Sequence, residues 1–345
     1  MKKIKTAFAG LGRIGWQFHL PTAAAHEGFE PVAACDALPE RLEEARAKYG
    51  VAGYSDFRQM IYEVKPELAV VATPTPFHTE HAIYAMENGC DVFLDKPMAR
   101  DLAEAKTIAD ARGRTGRKLM VYQPHRVTAE TQALLRLLKS GVLGDIYMIR
   151  SARRNFVFRS DWQAFKKFGG GMLNNYGAHA IDMMLFLTGS KAKRVDGFMH
   201  RIAAAGDAED VVKLLIETER GTTLDIDINM ASALDLAPLI VYGRYGTAML
   251  VEEKERQYYR VRYFDPADQA VVVASEHLAA IGRLYVTTEP ANWRETDFNI
   301  EPGDAINFYD KCYAYYALGE APFVPLEDTL EVMRVIKECR ATAGW

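Results

Sequence analysis

Apolar residues along this chain fall in short runs that end at glycine, proline or a charged residue, and these runs alternate with stretches of helical spacing. The first run, Ile4-Lys5-Thr6-Ala7-Phe8-Ala9, enters Gly10-Leu11-Gly12-Arg13-Ile14-Gly15 and then a helix. A second strand reads over Phe29 to Cys35 and ends at Asp36. Pro39 to Tyr49 is predicted as a helix, with proline near its start and Gly50 just past its end. A short helix follows over Asp56 to Val64. Leu68 to Ala72 is continuously apolar, as in a strand buried on both faces, and Pro74 and Pro76 forbid further ladder pairing. Helix Thr79 to Asn88, strand Asp91 to Leu94, helix Asp101 to Arg112 and strand Lys118 to Tyr122 continue the alternation. Residues 1–123 therefore read as a doubly wound parallel sheet, a Rossmann dinucleotide-binding domain.

The pattern changes over 124–345. A helix at Ala129 to Ser140 leads to strand Ile146 to Arg153. Further β-rich runs cover Arg194 to Ile202, Asp210 to Glu219, Thr222 to Ala231, Pro238 to Tyr242, Thr247 to Glu252 and Tyr258 to Phe264. Alternation such as Leu224-Asp225-Ile226-Asp227-Ile228 gives one face to helices and the other to water or a partner subunit. The expectation is an α/β substrate and oligomerisation domain with a large, mainly antiparallel open sheet. The stretch 265–302 lacks a pattern and reads as irregular: a lid, an oligomer arm or a surface excursion. Helices at Asp304 to Leu318 and Leu326 to Ala343 close the chain, the last one packing back near the first domain.

The glycine run carries the first chemistry. Gly10 permits the turn off the strand, Gly12 lets backbone approach a pyrophosphate, and Gly15 lets the helix pack closely on the sheet. The N–H groups and dipole of that helix hold a diphosphate without a charged side chain. Asp36 lies about twenty residues beyond the last glycine, where a carboxylate accepts from the adenosine ribose diol and repels a 2′-phosphate. NAD is expected, NADP less so; nearby Arg41 is the residue that would favour the latter. Ligands of such sheets sit at the carboxyl ends of strands, which brings Gly10 to Gly15, Asp36, Thr73 to His78, Asp95 to Pro97 and Gln123 to Arg126 to one edge.

Composition removes other classes. Charged residues make up 26% and apolar residues 49% of 345, with net charge −4, so no nucleic-acid or anionic-membrane surface is indicated. Cys35, Cys90, Cys312 and Cys339 are scattered and read as reduced residues of a cytoplasmic protein. No window approaches the roughly 20 apolar residues of a membrane span. No set of His, Cys, Asp and Glu has metal-ligand spacing.

Four motifs in order, Ala9 to Gly15, Ala72 to His78, Asp95-Lys96-Pro97 and Gly169 to Asp182, give the chain a resemblance to the Gfo/Idh/MocA oxidoreductases over nearly its whole length. The resemblance implies a Rossmann domain followed by an α/β domain whose open sheet makes homodimers or homotetramers. It implies hydride exchange between a nicotinamide and a hydroxyl-bearing carbon, often of a sugar or cyclic polyol. Lys96 then matches the lysine implicated in binding and proton transfer. Asp95 stands where the family usually has glutamate, and Asn175 where many members have aspartate. An amide orients but cannot act as a base, so proton transfer falls to Lys96 or to His179, which sits on a predicted helix Leu173 to Leu187 with Asn175 and Asp182 on the same side.

The expected catalytic residues are Lys96, His179 and Asn175. The expected cofactor residues are Gly10, Gly12, Arg13, Ile14, Gly15, Asp36, Arg41, Thr73, Pro74, Thr75, His78, Asp95 and Lys96, with His78 supporting its loop. Substrate is expected against Lys96, Gln123, Arg126, Arg153, Trp162, Asn175 and His179, because cations and an aromatic suit a hydroxylated or acidic sugar; Lys166 and Lys167 are near in sequence. The glycines 169–171 suit either backbone approach to substrate or a hinge. The reading is an NAD-preferring dehydrogenase of a sugar, sugar acid or cyclic polyol. Two alternatives stay open: an NAD-dependent glycosidase that oxidises its substrate transiently, and a non-catalytic NAD-binding sensor or subunit.

Overall fold

A computed structural model describes residues 2–269, 271–276, 278, 283, 287, 289 and 292–345. Its first half alternates β1 (Ile4–Ala9), α1 (Leu20–Ala25), β2 (Phe29–Cys35), α2 (Pro39–Tyr49), β3 (Ala52–Tyr54), α3 (Phe57–Val64), β4 (Leu68–Val71), α4 (His78–Glu87), β5 (Asp91–Leu94), α5 (Leu102–Thr115) and β6 (Leu119–Val121). The strands form a six-stranded parallel sheet in the order β3-β2-β1-β4-β5-β6. The continuous apolar runs are explained by burial on both sides. Phe8, Val70, Phe93 and Met120 join one core, and Ala7, Ala69, Val71, Val92, Leu94 and Val121 join the other. Helix ends follow local chemistry: Asp56 and Asp101 cap α3 and α5 through their carboxylates, while Gly50 and Gly116 end α2 and α5 in left-handed geometry.

The second half runs α6 (Ala129–Lys139), β7 (Ile146–Arg154), α7 (Ala178–Thr188), β8 (Ala192–His200), β9 (Val211–Thr218), β10 (Thr223–Asn229), β11 (Leu239–Gly243), β12 (Gly246–Glu252), β13 (Gln257–Tyr263), β14 (Arg294–Asn299), α8 (Phe308–Tyr316) and α9 (Leu326–Ala343). Its eight-stranded sheet has the order β14-β13-β12-β11-β7-β10-β9-β8. One pair is parallel, β10 with β7, in an otherwise antiparallel sheet. Val212, Leu214, Ile216, Leu224, Ile226 and Ile228 are buried, and the residues between them face away. The closing helices return to the first sheet. Phe308 and Tyr309 of α8 pack against Phe93, and Tyr313 against Phe29, while Tyr316 Oη donates to Val92 O at 2.5 Å.

Three features depart from the sequence reading. Two edge strands were not legible: β3 has three residues, and β14 reads Arg-Glu-Thr-Asp-Phe-Asn, almost fully exposed, so neither carries an apolar pattern. Charge on an exposed edge blocks pairing with another chain. Part of 265–302 is thus a strand. The lid or oligomer arm considered there falls partly on 270, 277, 279–282, 284–286, 288 and 290–291, outside the described residues. Third, the helices after the glycine motif and before His179 each open with a wide i→i+5 turn, Gly15–His19 and Leu173–Gly177. Such turns concentrate at functional sites.

Candidate active site

A cleft of about 590 Å³ runs from Gly10, Gly12, Arg13 and Ile14 past Asp36 and Thr73 to Lys96, Asn175 and His179. It lies where loops at the carboxyl ends of the parallel strands meet α7 and its preceding turn.

The glycine turn has the shape a diphosphate needs. Gly10 has φ of +88°, and a Cβ there would lie 2.6 Å from Ala72 O; a Cβ on Gly15 would overlap Gly10 O. A Cβ on Gly12 would meet nothing within 4 Å, so this glycine leaves open space on the cleft side. The Leu11 N–H donates to Asp36 Oδ2 at 2.7 Å, and the Leu38 N–H donates to Oδ1 at 3.0 Å. These bonds fix the carboxylate at the end of β2. Arg41 Nη1 lies 3.3 Å from Asp36 Oδ2. His78 does not line the cleft. Its ring nitrogens reach Thr73 O at 2.7 Å and Pro97 O at 2.9 Å, tying the loops after β4 and β5 together.

Lys96 is the centre of the polar part. Its Nζ donates to Asn175 O at 3.1 Å and to Asn175 Oδ1 at 3.0 Å. Burial lowers its pKa to about 8; Asp95 opposes this, whereas Arg13 and Arg159 add to it. Burial in turn raises the pKa of Asp95, against the pull of Lys96 and His78. The amide of Asn175 is oriented from its other end, since Nδ2 donates to Gln163 Oε1 at 3.2 Å. The same Gln163 oxygen accepts from Arg159, which pairs with Asp161 at 2.9 Å. His179 is held well below the ordinary imidazole pKa by burial, then by Lys96, His125 and Arg13. Its Nδ1 is buried without a partner.

Several expected residues are elsewhere. Arg126, expected on the substrate, is 3% exposed and clamps Asp182 through bonds of 2.8 and 2.6 Å, with Asp328 at 2.9 Å. The strand-end rule located its Cα but not its side-chain direction. Gln123 is buried and is not among the cleft-lining residues. Arg153 lines a neighbouring pocket and stacks over Tyr176, 4.9 Å from the ring centroid. Lys166 and Lys167 face a third pocket with Arg100 and Trp345. Trp162 does line the cleft. The glycines 169–171 are packed against their own surroundings: a Cβ on Gly169 would press on Arg100, on Gly170 on Gln163 O, and on Gly171 on Glu209. Arg159, Asp161, Gln163 and Tyr176 also line the cleft and were not singled out from sequence. The only sequence signal for them is closeness to Trp162 and Asn175.

Comparison with known proteins gives consistent matches. A model of the oxidoreductase family with an NAD-binding Rossmann fold matches residues 4–123, and a model of the GFO/IDH/MocA C-terminal domain matches residues 131–249. D-glucoside 3-dehydrogenase of Escherichia coli is 32% identical over 195 residues, covering 55% of this chain and 55% of that protein. D-apiose dehydrogenase of Paraburkholderia graminis is 31% identical over 265 residues, covering 72% of this chain and 68% of that protein. The match thus spans about half of the first relative and two thirds of the second. Among solved structures, an NAD-binding protein from Listeria innocua superposes with a TM-score of 0.84 at 23% identity, covering 99% of this chain and 95% of its own; at that identity the likeness concerns the fold.

Proposed function

Because the chain belongs to the Gfo/Idh/MocA family of oxidoreductases, we propose that it transfers a hydride between a nicotinamide dinucleotide, NAD in preference to NADP, and a hydroxyl-bearing carbon of a sugar, sugar acid or cyclic polyol. The observation that carries this reading is the Lys96 amine, buried at a strand end in the cleft that the glycine turn opens onto, with its pKa lowered to about 8. The dehydrogenases of D-glucosides and D-apiose among its relatives support the substrate class.

The glycine turn from Gly10 to Gly15 fits a diphosphate through backbone N–H groups, and Asp36 fits the adenosine ribose. Thr73 to Thr75 and Asp95 would flank the remainder. When bound, the nicotinamide supplies the acceptor for a hydride. The fixed negative charge of Asp36 is the reason for preferring NAD, and Arg41 beside it is the group that a 2′-phosphate would have to recruit.

Lys96 in its neutral form has two N–H bonds and a lone pair. Two of the three positions around Nζ point at Asn175 O and Oδ1, so the lone pair takes the third position and accepts the substrate hydroxyl proton. As that O–H bond breaks to Nζ, the C–H bond leaves with its electron pair and a carbonyl forms. Asn175 takes no proton; it holds the amine, and Gln163 holds Asn175. His179 is neutral, and its buried, partnerless Nδ1 suits a lone pair better than an orphaned N–H. The proton then sits on Nε2, which makes His179 a hydrogen-bond donor to the reacting oxygen. In reduction the roles reverse and Lys96 returns the proton.

The test is NADH absorbance on mixing protein and NAD with a panel of sugars, sugar acids, inositols and glycosides, beside Lys96→Ala. A rise that needs Lys96 supports the dehydrogenase. Glycoside cleavage with no net NADH would replace it with the glycosidase, and NAD binding that no panel member converts to product would favour the sensor. We also propose a second copy of the chain as the occupant of the sheet's open face, where Phe198 and Leu215 lie on neighbouring strands and are 61% and 37% exposed.

A further inference from the structure

The strand-end rule brings His125 to the ligand edge with Gln123 to Arg126 and gives it no role; it stands against His179 with ring centroids 4.5 Å apart and planes inclined by 32°. It lies in the short turn Pro124–Val127 that follows β6, and Pro124 itself lines the reaction cleft. His125 faces an adjoining pocket of about 290 Å³, which shares only Tyr176 and His179 with that cleft. Among the described residues neither imidazole has a side-chain hydrogen-bond partner for its open nitrogen. Burial lowers the pKa of both rings, that of His179 well below the ordinary imidazole value, and Lys96 acts in the same direction.

The pairing of the two rings is built in. Arg126, the residue after His125, is bonded twice to Asp182, three residues after His179, and both are almost completely buried. That clamp fixes the turn carrying one ring against the helix carrying the other. Neutral imidazole offers a donor and an acceptor at opposite edges; His179 Nδ1 is buried without a partner, while the half-buried His125 ring, with no protein partner among the described residues, lines the adjoining pocket. A ligand hydroxyl is the group that satisfies such an edge, since it donates and accepts.

We infer that His125 and His179 form a paired reader of neighbouring hydroxyls: His179 holds the reacting oxygen, His125 holds the hydroxyl on an adjacent carbon, and the 290 Å³ pocket receives the part of the ring beyond it. The substrate is then a vicinal diol, and a ring that lacks the second hydroxyl is discriminated against. This rests on the dehydrogenase reading and adds to it the substrate feature that His125 selects.

The experiment uses the sugar or polyol that the wild-type protein oxidises, together with its two analogues deoxygenated at the carbons flanking the reacting one. These are assayed with wild type, His125→Leu and His125→Gln. Loss of a hydrogen bond from the His125 ring predicts a fall in kcat/KM of about tenfold for His125→Leu on the parent substrate, mainly through KM, with partial recovery in His125→Gln. One deoxy analogue should be slower with wild type by a similar factor and should not slow further with His125→Leu. NAD affinity should be unchanged in both variants. Equal slowing of the parent and both analogues would make the ring a packing element and overturn the inference while leaving the dehydrogenase intact; so would an unaffected parent substrate. A wild-type protein that oxidises no member of the panel would overturn the dehydrogenase reading and this inference together.

Discussion

At the residue scale, the proposed reaction turns on the charge state of one amine. Lys96 has its pKa lowered to about 8, so its neutral, proton-accepting form grows as pH rises through that value. Oxidation measured as kcat/KM should therefore climb through pH 8, and reduction should decline over the same range. Replacing Asn175 by aspartate puts a carboxylate beside the amine, which favours the charged form. The prediction for Asn175→Asp is an alkaline limb moved upward by about one unit, which costs about tenfold in oxidation at pH 7. An unmoved limb would mean that Lys96 is not the titrating group.

Burial of Lys96 has a stability consequence with a definite sign. The folded pKa is below the value of 10.5 for a free lysine, so between about 8 and 10.5 the unfolded chain binds more protons and the fold gains stability as pH rises. Below pH 8 the full penalty of the buried ammonium is present. Lys96→Met should consequently abolish oxidation yet raise Tm at pH 7, the gain shrinking toward pH 10. Arg126 makes the opposite case: Arg126→Ala leaves Asp182 buried without its cation and should cost about 3–5 kcal/mol, seen as a lowered urea midpoint. That Lys96, Asn175 and His179 share one cleft was legible because motif and residue chemistry coincide. Arg126 and Gln123 were misplaced because a strand end locates a Cα and leaves the side-chain direction open. The pairing of His125 with His179, and Gln163 altogether, were missed because only the folded chain brings them to His179 and Asn175.

At the scale of elements, the glycine turn separates folding from binding. Gly15 has no room for a methyl group, whereas Gly12 has open space on the side where a diphosphate would lie. Gly15→Ala should lower Tm sharply. Gly12→Ala should leave Tm within a degree or so and weaken NAD binding, read by fluorescence titration; equal effects from both would contradict these assignments. Most helices and buried strands were readable, since capping aspartates, terminal glycines and apolar runs are local signals. What escaped was set elsewhere. The parallel pairing of β10 with β7 depends on which edges the intervening strands occupy, and the polar β14 pairs only because β13 offers it a ladder. The wide turns at Gly15–His19 and Leu173–Gly177 leave no mark on periodicity.

At the scale of the molecule, the site exists where the loops of the first sheet meet the connection between β7 and β8. The first supplies the glycine turn, Asp36 and Lys96; the connection between β7 and β8 supplies Gln163, Asn175 and His179. Sequence order keeps these groups nearly eighty residues apart, Lys96 and Asn175 being separated by 79 positions, and only the resemblance joined them beforehand. The open face of the second sheet predicts self-association: sedimentation should give a multiple of the 38.7 kDa chain mass, and Phe198→Glu should reduce it. The central claim is a hydride transfer that depends on Lys96, and its most direct measurement uses a substrate carrying deuterium on the reacting carbon. After incubation with NAD, the account predicts deuterium in the reduced nicotinamide with the wild-type protein and none with Lys96→Ala. Product formed with the deuterium retained on its carbon or lost to water, and no label in the nicotinamide, would contradict it.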